Sequence, residues 1–232
     1  MPPSTPSASA SAVSVRATER NMADWSDLKK RTLSAVVLVA VALGMTLASP
    51  LTFSLMVIFG TALLWQEWFA LTRTRGARFF IFGIAYLSAA AVSLIYLRGT
   101  NLNILLSVFA IVWGGDIAAY LVGKKFGKHK IAPTISPGKT WEGLAGAMLV
   151  SALIGGVLGH VAPVPHAILG AVFAVVGLGG DLFESALKRH AGVKDSGKLI
   201  PGHGGLFDRV DALLPCAILA AVLLYARLAA AA

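Results

Sequence analysis

Apolar runs long enough to cross a bilayer recur along this chain, at about residues 33–49, 51–71, 79–97, 103–123, 143–161, 164–182 and 211–229. A transmembrane helix needs about 20 consecutive apolar residues. Within the hydrocarbon the backbone must satisfy its own hydrogen bonds, which leaves only helices and closed barrels. The expected fold is therefore all-α: a polytopic integral membrane protein of about seven transmembrane helices, the first of marginal length. The charged fraction agrees, at 13% against about 25% in soluble domains. A chain of 232 residues holds one such domain and no large soluble one.

Residues 1–24 are rich in Ser, Ala and Pro without hydrophobic periodicity, and read as a disordered tail rather than a secretory signal. The membrane domain then spans 25–232, with Met22–Arg31 a basic stretch suited to the membrane surface. Ser49-Pro50 predicts a tight turn between the first two helices, because proline disfavours helical geometry in the residue before it. The distribution of Lys and Arg tests the layout. With the N-terminus in the cytoplasm, 18 of the 20 basic residues fall on the inner side, and only Arg98 and Arg227 fall outside. That asymmetry explains the net charge of +9 without nucleic acid, and puts the C-terminus outside. Cys216, the one cysteine, excludes an intramolecular disulfide and reads as a buried, inert thiol. No Cys/His spacing resembles a zinc site.

Against this background, ten of the 31 charged residues crowd between Asp181 and Asp211. Acids at the ends of apolar segments are expensive and mark functional sites by default. On a helix, Asp181, Glu184, Ser185 and Lys188 share one face. Asp208 and Asp211 are spaced to share another. Hard cations such as Mg²⁺ take oxygen ligands, commonly one or two carboxylates plus substrate phosphates. Lys188, Arg189, Lys194, Lys198 and Arg209 can neutralise phosphate charge. His203-Gly204-Gly205 suits a turn whose N–H groups approach an anion, although His203 taken alone is a structural histidine more often than a catalytic one. The bland alternative is ion pairing, and Glu184 with Lys188 is a favourable i,i+4 pair.

A second region adds Asp116 and Tyr120 on an otherwise apolar helix, then Gly123 and Gly127 among lysines, then Ser136-Pro137-Gly138-Lys139-Thr140-Trp141-Glu142-Gly143. A lone intramembrane acid needs a partner or a cavity. The lysines here also suit a loop that merely fixes topology. Glu67, after Trp65, reads equally as a structural acid or as part of the site. Trp65, Trp68 and Trp141 read as interfacial aromatics. His160 and His166 read as surface residues on the opposite side.

These residues carry a resemblance. The run Ser185-x-x-Lys188-Arg189, Lys194-Asp195, Ile200-Pro201-Gly202-His203-Gly204-Gly205-Leu206-x-Asp208-Arg209-x-Asp211 resembles the signature of the phosphatidate cytidylyltransferase (CDP-diacylglycerol synthase) family. Asp116-x-x-Ala119-Tyr120-x-x-Gly123 and Ser136-Pro137-x-Lys139-Thr140-x-Glu142-Gly143 are similar to that family too. The resemblance covers about residues 110–215, which it marks as the catalytic half. The chain departs from the family in being somewhat short and in having Gly138 where lysine is common.

The resemblance implies transfer of CMP from CTP to phosphatidic acid, giving CDP-diacylglycerol and pyrophosphate in phospholipid biosynthesis. It implies Mg²⁺, with room for a second cation such as K⁺. It implies Asp181, Asp208 and Asp211 as metal ligands and Ser185 and Lys188 as phosphate contacts, with Arg209 supporting the carboxylates or the substrate. Asp116, Tyr120, Lys139, Thr140, Glu142, Lys194, Asp195, His203, Gly204 and Gly205 would bind substrate. The implied partners are CTP, phosphatidic acid and membrane lipid, with no nucleic acid; a homodimer is an open expectation. The implied setting is the bacterial inner membrane, with the site facing the cytoplasm. A CTP-dependent polyprenol or phytol kinase, or an ether-lipid cytidylyltransferase, would share the head-group chemistry. An ion-coupled transporter would explain Asp116 and Asp181, but not the spacing of the remaining acids, bases and glycines.

Overall fold

A computed structural model describes residue 37 and residues 39–159, 162–200 and 204–231. The tail expected over 1–24 lies outside the described residues, as do the basic stretch 22–31, His160 and His203. The chain runs α1 (Val39–Ala48), α2 (Pro50–Thr72), α3 (Ala77–Thr100), α4 (Leu102–Phe126), β1 (Lys130–Ala132), β2 (Ser136–Thr140), α5 (Trp141–Leu158), α6 (Pro163–His190), α7 (Phe207–Val210) and α8 (Leu213–Ala231). Among the described residues, six helices, α2 to α6 and α8, are long and apolar enough to cross a membrane. The protein is an all-α integral membrane protein, and six of the seven apolar segments become spans. The described part of the first, α1, is shorter.

Local chemistry sets the boundaries. The Ser49 hydroxyl accepts from Thr52 N, and Ser49 N donates back to Thr52 Oγ1, both at 3.1 Å, with Pro50 opening α2. This capping box satisfies two otherwise orphaned donors and makes the expected turn after α1. Asn101 ends α3 and caps α4 by accepting from Asn103 N at 2.8 Å. Thr140 ends β2 and caps α5, its Oγ1 accepting from Gly143 N at 3.1 Å.

Small residues bring the helices near the site close together. A Cβ on Gly170 of α6 would lie 2.1 Å from the carbonyl oxygen of Ser151 on α5. Ser151 in turn donates to Ile111 O of α4 at 3.0 Å. Close backbone approach and interhelical hydrogen bonds are what hold helices together where lipid removes the hydrophobic drive. α6 runs past its apolar segment to His190, so Asp181, Glu184, Ser185 and Lys188 do ride one helix. Arg189 Nε donates to Ile135 O at 3.1 Å, tying the end of α6 to the β1–β2 hairpin. The two charged stretches thus meet at one end of the bundle, as the distribution of basic residues requires.

Two apolar clusters fill the interior. One gathers Leu97, Leu105, Val112, Phe173 and Cys216, the last fully buried as expected, with Sγ 3.4 Å from Phe173 O. The other gathers Trp68, Leu187, Phe207 and Leu214 beneath the charged loops. Trp68 corrects the interfacial reading: it is fully buried, its ring centroid 6.0 Å from those of Phe183 and Phe207, and its Nε1 donates to Phe79 O at 3.0 Å. A buried Trp with a partner for its N–H serves a core as well as an interface. His166 is also half-buried rather than a surface residue, its Nδ1 2.6 Å from Ala162 O.

Candidate active site

A cavity of about 700 Å³ opens between α4, the hairpin, α5, α6 and the α7 turn. Its walls carry Asp116 and Tyr120 from α4, Lys139 and Thr140 from β2, Asp181 from α6, and Asp208, Arg209 and Asp211 from α7 and the residue after it. Three regions far apart in sequence, α4, α6 and the α7 segment, therefore deliver Asp116, Asp181, Asp208 and Asp211 to one space. Lys124 and Lys130 line it as well.

Close packing sets the acids near one another. A Cβ on Gly180 would sit 2.3 Å from Asp211 O, so α6 touches this segment backbone to backbone and Asp181 lies beside it. Asp181 forms an ion pair with Lys139 and accepts from Ser185 Oγ at 3.4 Å. Burial, then the nearby charge of Asp181, raises Asp211 to about 7. Asp116 pushes it the same way and Lys139 opposes them.

Asp208 has the opposite environment. Lys188 Nζ reaches its Oδ1 at 2.5 Å and Glu184 Oε2 at 2.8 Å. Oδ2 accepts from Ser196 N and Gly205 N at 2.9 Å and from Ser196 Oγ at 3.0 Å. Burial alone would raise this carboxyl, but the hydrogen bonds involving Glu184, Lys188, Gly205 and Ser196 outweigh burial and hold it at about 2. The turn at Gly204, with φ at 83°, therefore presents the Gly205 N–H to an internal anion.

Other residues fall elsewhere. Lys188 sits in the buried Glu184–Lys188–Asp208 group rather than on the cavity wall, so the pairing with Glu184 is realised, with a third member. Glu142 faces the preceding loop: it accepts from Lys128 N at 3.2 Å and meets His129 Nδ1 at 2.7 Å. Lys194 and Asp195 are exposed and do not line the cavity.

Glu67 of α2, ambiguous in the sequence, is a buried acceptor for Leu206 N and Phe207 N, each at 2.8 Å, and for Ser196 Oγ at 3.0 Å. The lone acid in an apolar helix was its visible signal. Its donors lie more than a hundred positions away and leave no local pattern.

Among the described residues, no three His, Cys, Asp or Glu side chains stand close enough to hold a metal ion as placed. The donor set does fit a hard cation: Asp181 and Asp211, with Asp116 beside them, offer only oxygen to one space, which leaves coordination positions for phosphates and water, whereas Asp208, the other ligand expected, has both oxygens engaged by Lys188, Ser196 and Gly205.

Comparison with known proteins agrees with the geometry. Residues 75–227 match the model described as the cytidylyltransferase family, a wider span than the signature residues alone. The chain is 43% identical over 148 residues to the phosphatidate cytidylyltransferase of Brucella suis biovar 1, covering 59% of this chain and 53% of that one. It is 39% identical over 143 residues to the phosphatidate cytidylyltransferase of Staphylococcus saprophyticus, covering 60% and 55%. An uncharacterized Escherichia coli protein, YnbB, is 43% identical over 129 residues, covering 52% and 43%. The chain spans about half the length of the curated relatives it matches.

Proposed function

The chain belongs to the cytidylyltransferase family, and from that premise we propose that it transfers CMP from CTP to phosphatidic acid, forming CDP-diacylglycerol and pyrophosphate. One observation carries the reading: a cavity at the charged end of the bundle gathers Asp116, Asp181 and Asp211 with Lys124, Lys130, Lys139 and Arg209. A nucleotide triphosphate and a lipid phosphate both need cations there, and the carboxylates would supply them through a bound metal.

In this reading a phosphate oxygen of phosphatidic acid bonds to the α-phosphorus of CTP, and the bond to the bridging oxygen breaks as pyrophosphate leaves. A phosphate monoester is already nucleophilic at neutral pH, so the site needs no strong base. Orientation and charge stabilisation suffice. Lys124, Lys130, Lys139 and Arg209 receive the phosphate charge. Asp181 and Asp211 would hold Mg²⁺, with Asp116 beside them. When bound, the metal neutralises charge on the reacting phosphates. Ser185 orients Asp181. The apolar faces of the spans keep the acyl chains in lipid while the head group enters the cavity. The bias of Lys and Arg supports a cytoplasm-facing site in a bacterial inner membrane, where CTP and Mg²⁺ are at hand.

The test is conversion of labelled CTP and phosphatidic acid to CDP-diacylglycerol by the purified protein in detergent–lipid micelles, with and without Mg²⁺. Magnesium-dependent product is expected. Folded protein that makes none sinks the proposal.

A further inference from the structure

We propose that Glu67 and Ser196 are positioning residues for the cavity: they hold the turn that carries Asp208, Arg209 and Asp211 in the orientation the transfer requires. The inference rests on the reading just given and extends the site to a helix outside the signature region.

The α7 turn has four residues and no side-chain cap of its own at Leu206. Its leading N–H groups, on Leu206 and Phe207, are taken by the two oxygens of Glu67, which reaches across from α2. Glu67 is 8% exposed and sits among apolar neighbours, where an acid survives only with partners. The strand of chain around it is fitted to that carboxylate. A Cβ on Gly197 would lie 2.6 Å from Glu67 Oε1, and one on Gly205 would lie 2.0 Å from Ser196 Oγ.

Ser196 joins this anchor to the site. Its hydroxyl stands 3.0 Å from Glu67 Oε2 and 3.0 Å from Asp208 Oδ2. A hydroxyl has one proton, so the two carboxylates share or exchange it, and the orientation of each is coupled to the other. Asp208 then passes the constraint to Lys188 and Glu184 on α6. The result is one polar path from α2, through α7, to α6, with the cavity residues Arg209 and Asp211 directly after its centre. Phe207 also anchors the turn to Trp68. Glu67 and Ser196 also line a second cleft of about 220 Å³. The carboxylate of Glu67 fixes which way the turn faces.

The experiment compares wild type, Glu67→Gln, Ser196→Ala and the double variant in detergent, reading the thermal midpoint, binding of Mn²⁺ alone by its paramagnetic resonance, and turnover of CTP with phosphatidic acid. Glu67→Gln keeps the shape and loses one acceptor. It should lower kcat at least tenfold with the KM for CTP within threefold, and weaken Mn²⁺ binding at least threefold while the protein stays folded. Ser196→Ala, which keeps the backbone N–H to Asp208, should do the same more mildly. The double variant should be little worse than Glu67→Gln, since coupled residues are not additive. Wild-type kcat and Mn²⁺ affinity in Glu67→Gln overturn the proposal. So does a loss that tracks only the unfolded fraction, or effects that multiply independently in the double variant. Wild type inactive on CTP and phosphatidic acid, but with Mn²⁺ binding that weakens in Glu67→Gln, would sink the proposed reaction and leave the positioning role standing.

Discussion

Lys188 and Asp208, 20 positions apart in sequence, lie 2.5 Å apart in the fold, and Lys188 also holds Glu184 at 2.8 Å. One ammonium thus bridges the C-terminal end of α6 to the turn that carries Asp208 and leads to Asp211. All three side chains are withdrawn from solvent: Glu184 is 2% exposed, Asp208 8% and Lys188 15%.

Removing the bridge should destabilise the protein strongly. In Lys188→Met, two buried carboxyls face each other without their cation. Breaking a buried ion pair from one side costs about 3–5 kcal/mol. Thermal unfolding in detergent should show a large drop, and turnover should fall with it. A midpoint within a degree or two of wild type would mean that the group is not the linchpin the geometry makes it.

The same group predicts an acid dependence. The Asp208 carboxyl is held at about 2, below the ordinary 3.8. A lowered carboxyl pKa contributes stability that is complete above the unfolded value and is lost as pH falls through the folded one. The window therefore runs from about pH 4 down to pH 2, and the contribution is on the order of 2 kcal/mol. The stability gap between wild type and Asp208→Asn should be full at pH 6 and shrink as pH falls toward 2. A gap that does not change with pH would contradict the assigned environment of Asp208.

How much of this was legible in the sequence follows from the range of the interactions. The spans were legible because about 20 apolar residues in a row have few other fates. The shared face of Asp181, Ser185 and Lys188 was legible because helical spacing is local. Asp116 and Asp211 could be singled out because each is an acid beside a long apolar run. The sequence places Trp68 wrongly because hydropathy does not separate the edge of a bilayer from the centre of a core. Glu67 stayed ambiguous because its three donors lie on Ser196, Leu206 and Phe207, which only the tertiary fold brings to α2. Lys188 showed one partner at helical spacing and hid the other beyond a loop.

Asp211 should behave in the opposite sense to Asp208. Burial and the charge of Asp181 raise it to about 7. A raised carboxyl pKa means that ionisation works against the fold, so this contribution to stability declines as pH rises from about 4 through 7. Asp211→Asn removes the charge and should be more stable than wild type at pH 8, by on the order of 4 kcal/mol, with the advantage gone near pH 4. On the proposed reaction it should also be inactive. Unfolding measured at the two pH values checks the first claim and product formation the second. A variant less stable than wild type at pH 8 would place the Asp211 charge in a favourable environment instead.

Lys139 offers the last test, because its two roles pull in opposite directions. It is paired with Asp181 across the cavity, and in the proposed reaction it also faces the phosphates of CTP. Lys139→Met leaves Asp181 without its internal counter-ion. A divalent cation then competes with no ammonium, and Mn²⁺ alone should bind about threefold more tightly, in keeping with the worth of a partly exposed pair. The KM for CTP should rise at least tenfold, because the phosphates lose a cation. Tighter metal binding together with weaker nucleotide use is hard to produce by general damage to the fold, which would weaken both. If Mn²⁺ binding weakens in parallel with CTP, Lys139 supports the shape of the cavity and does not stand in for the metal at Asp181.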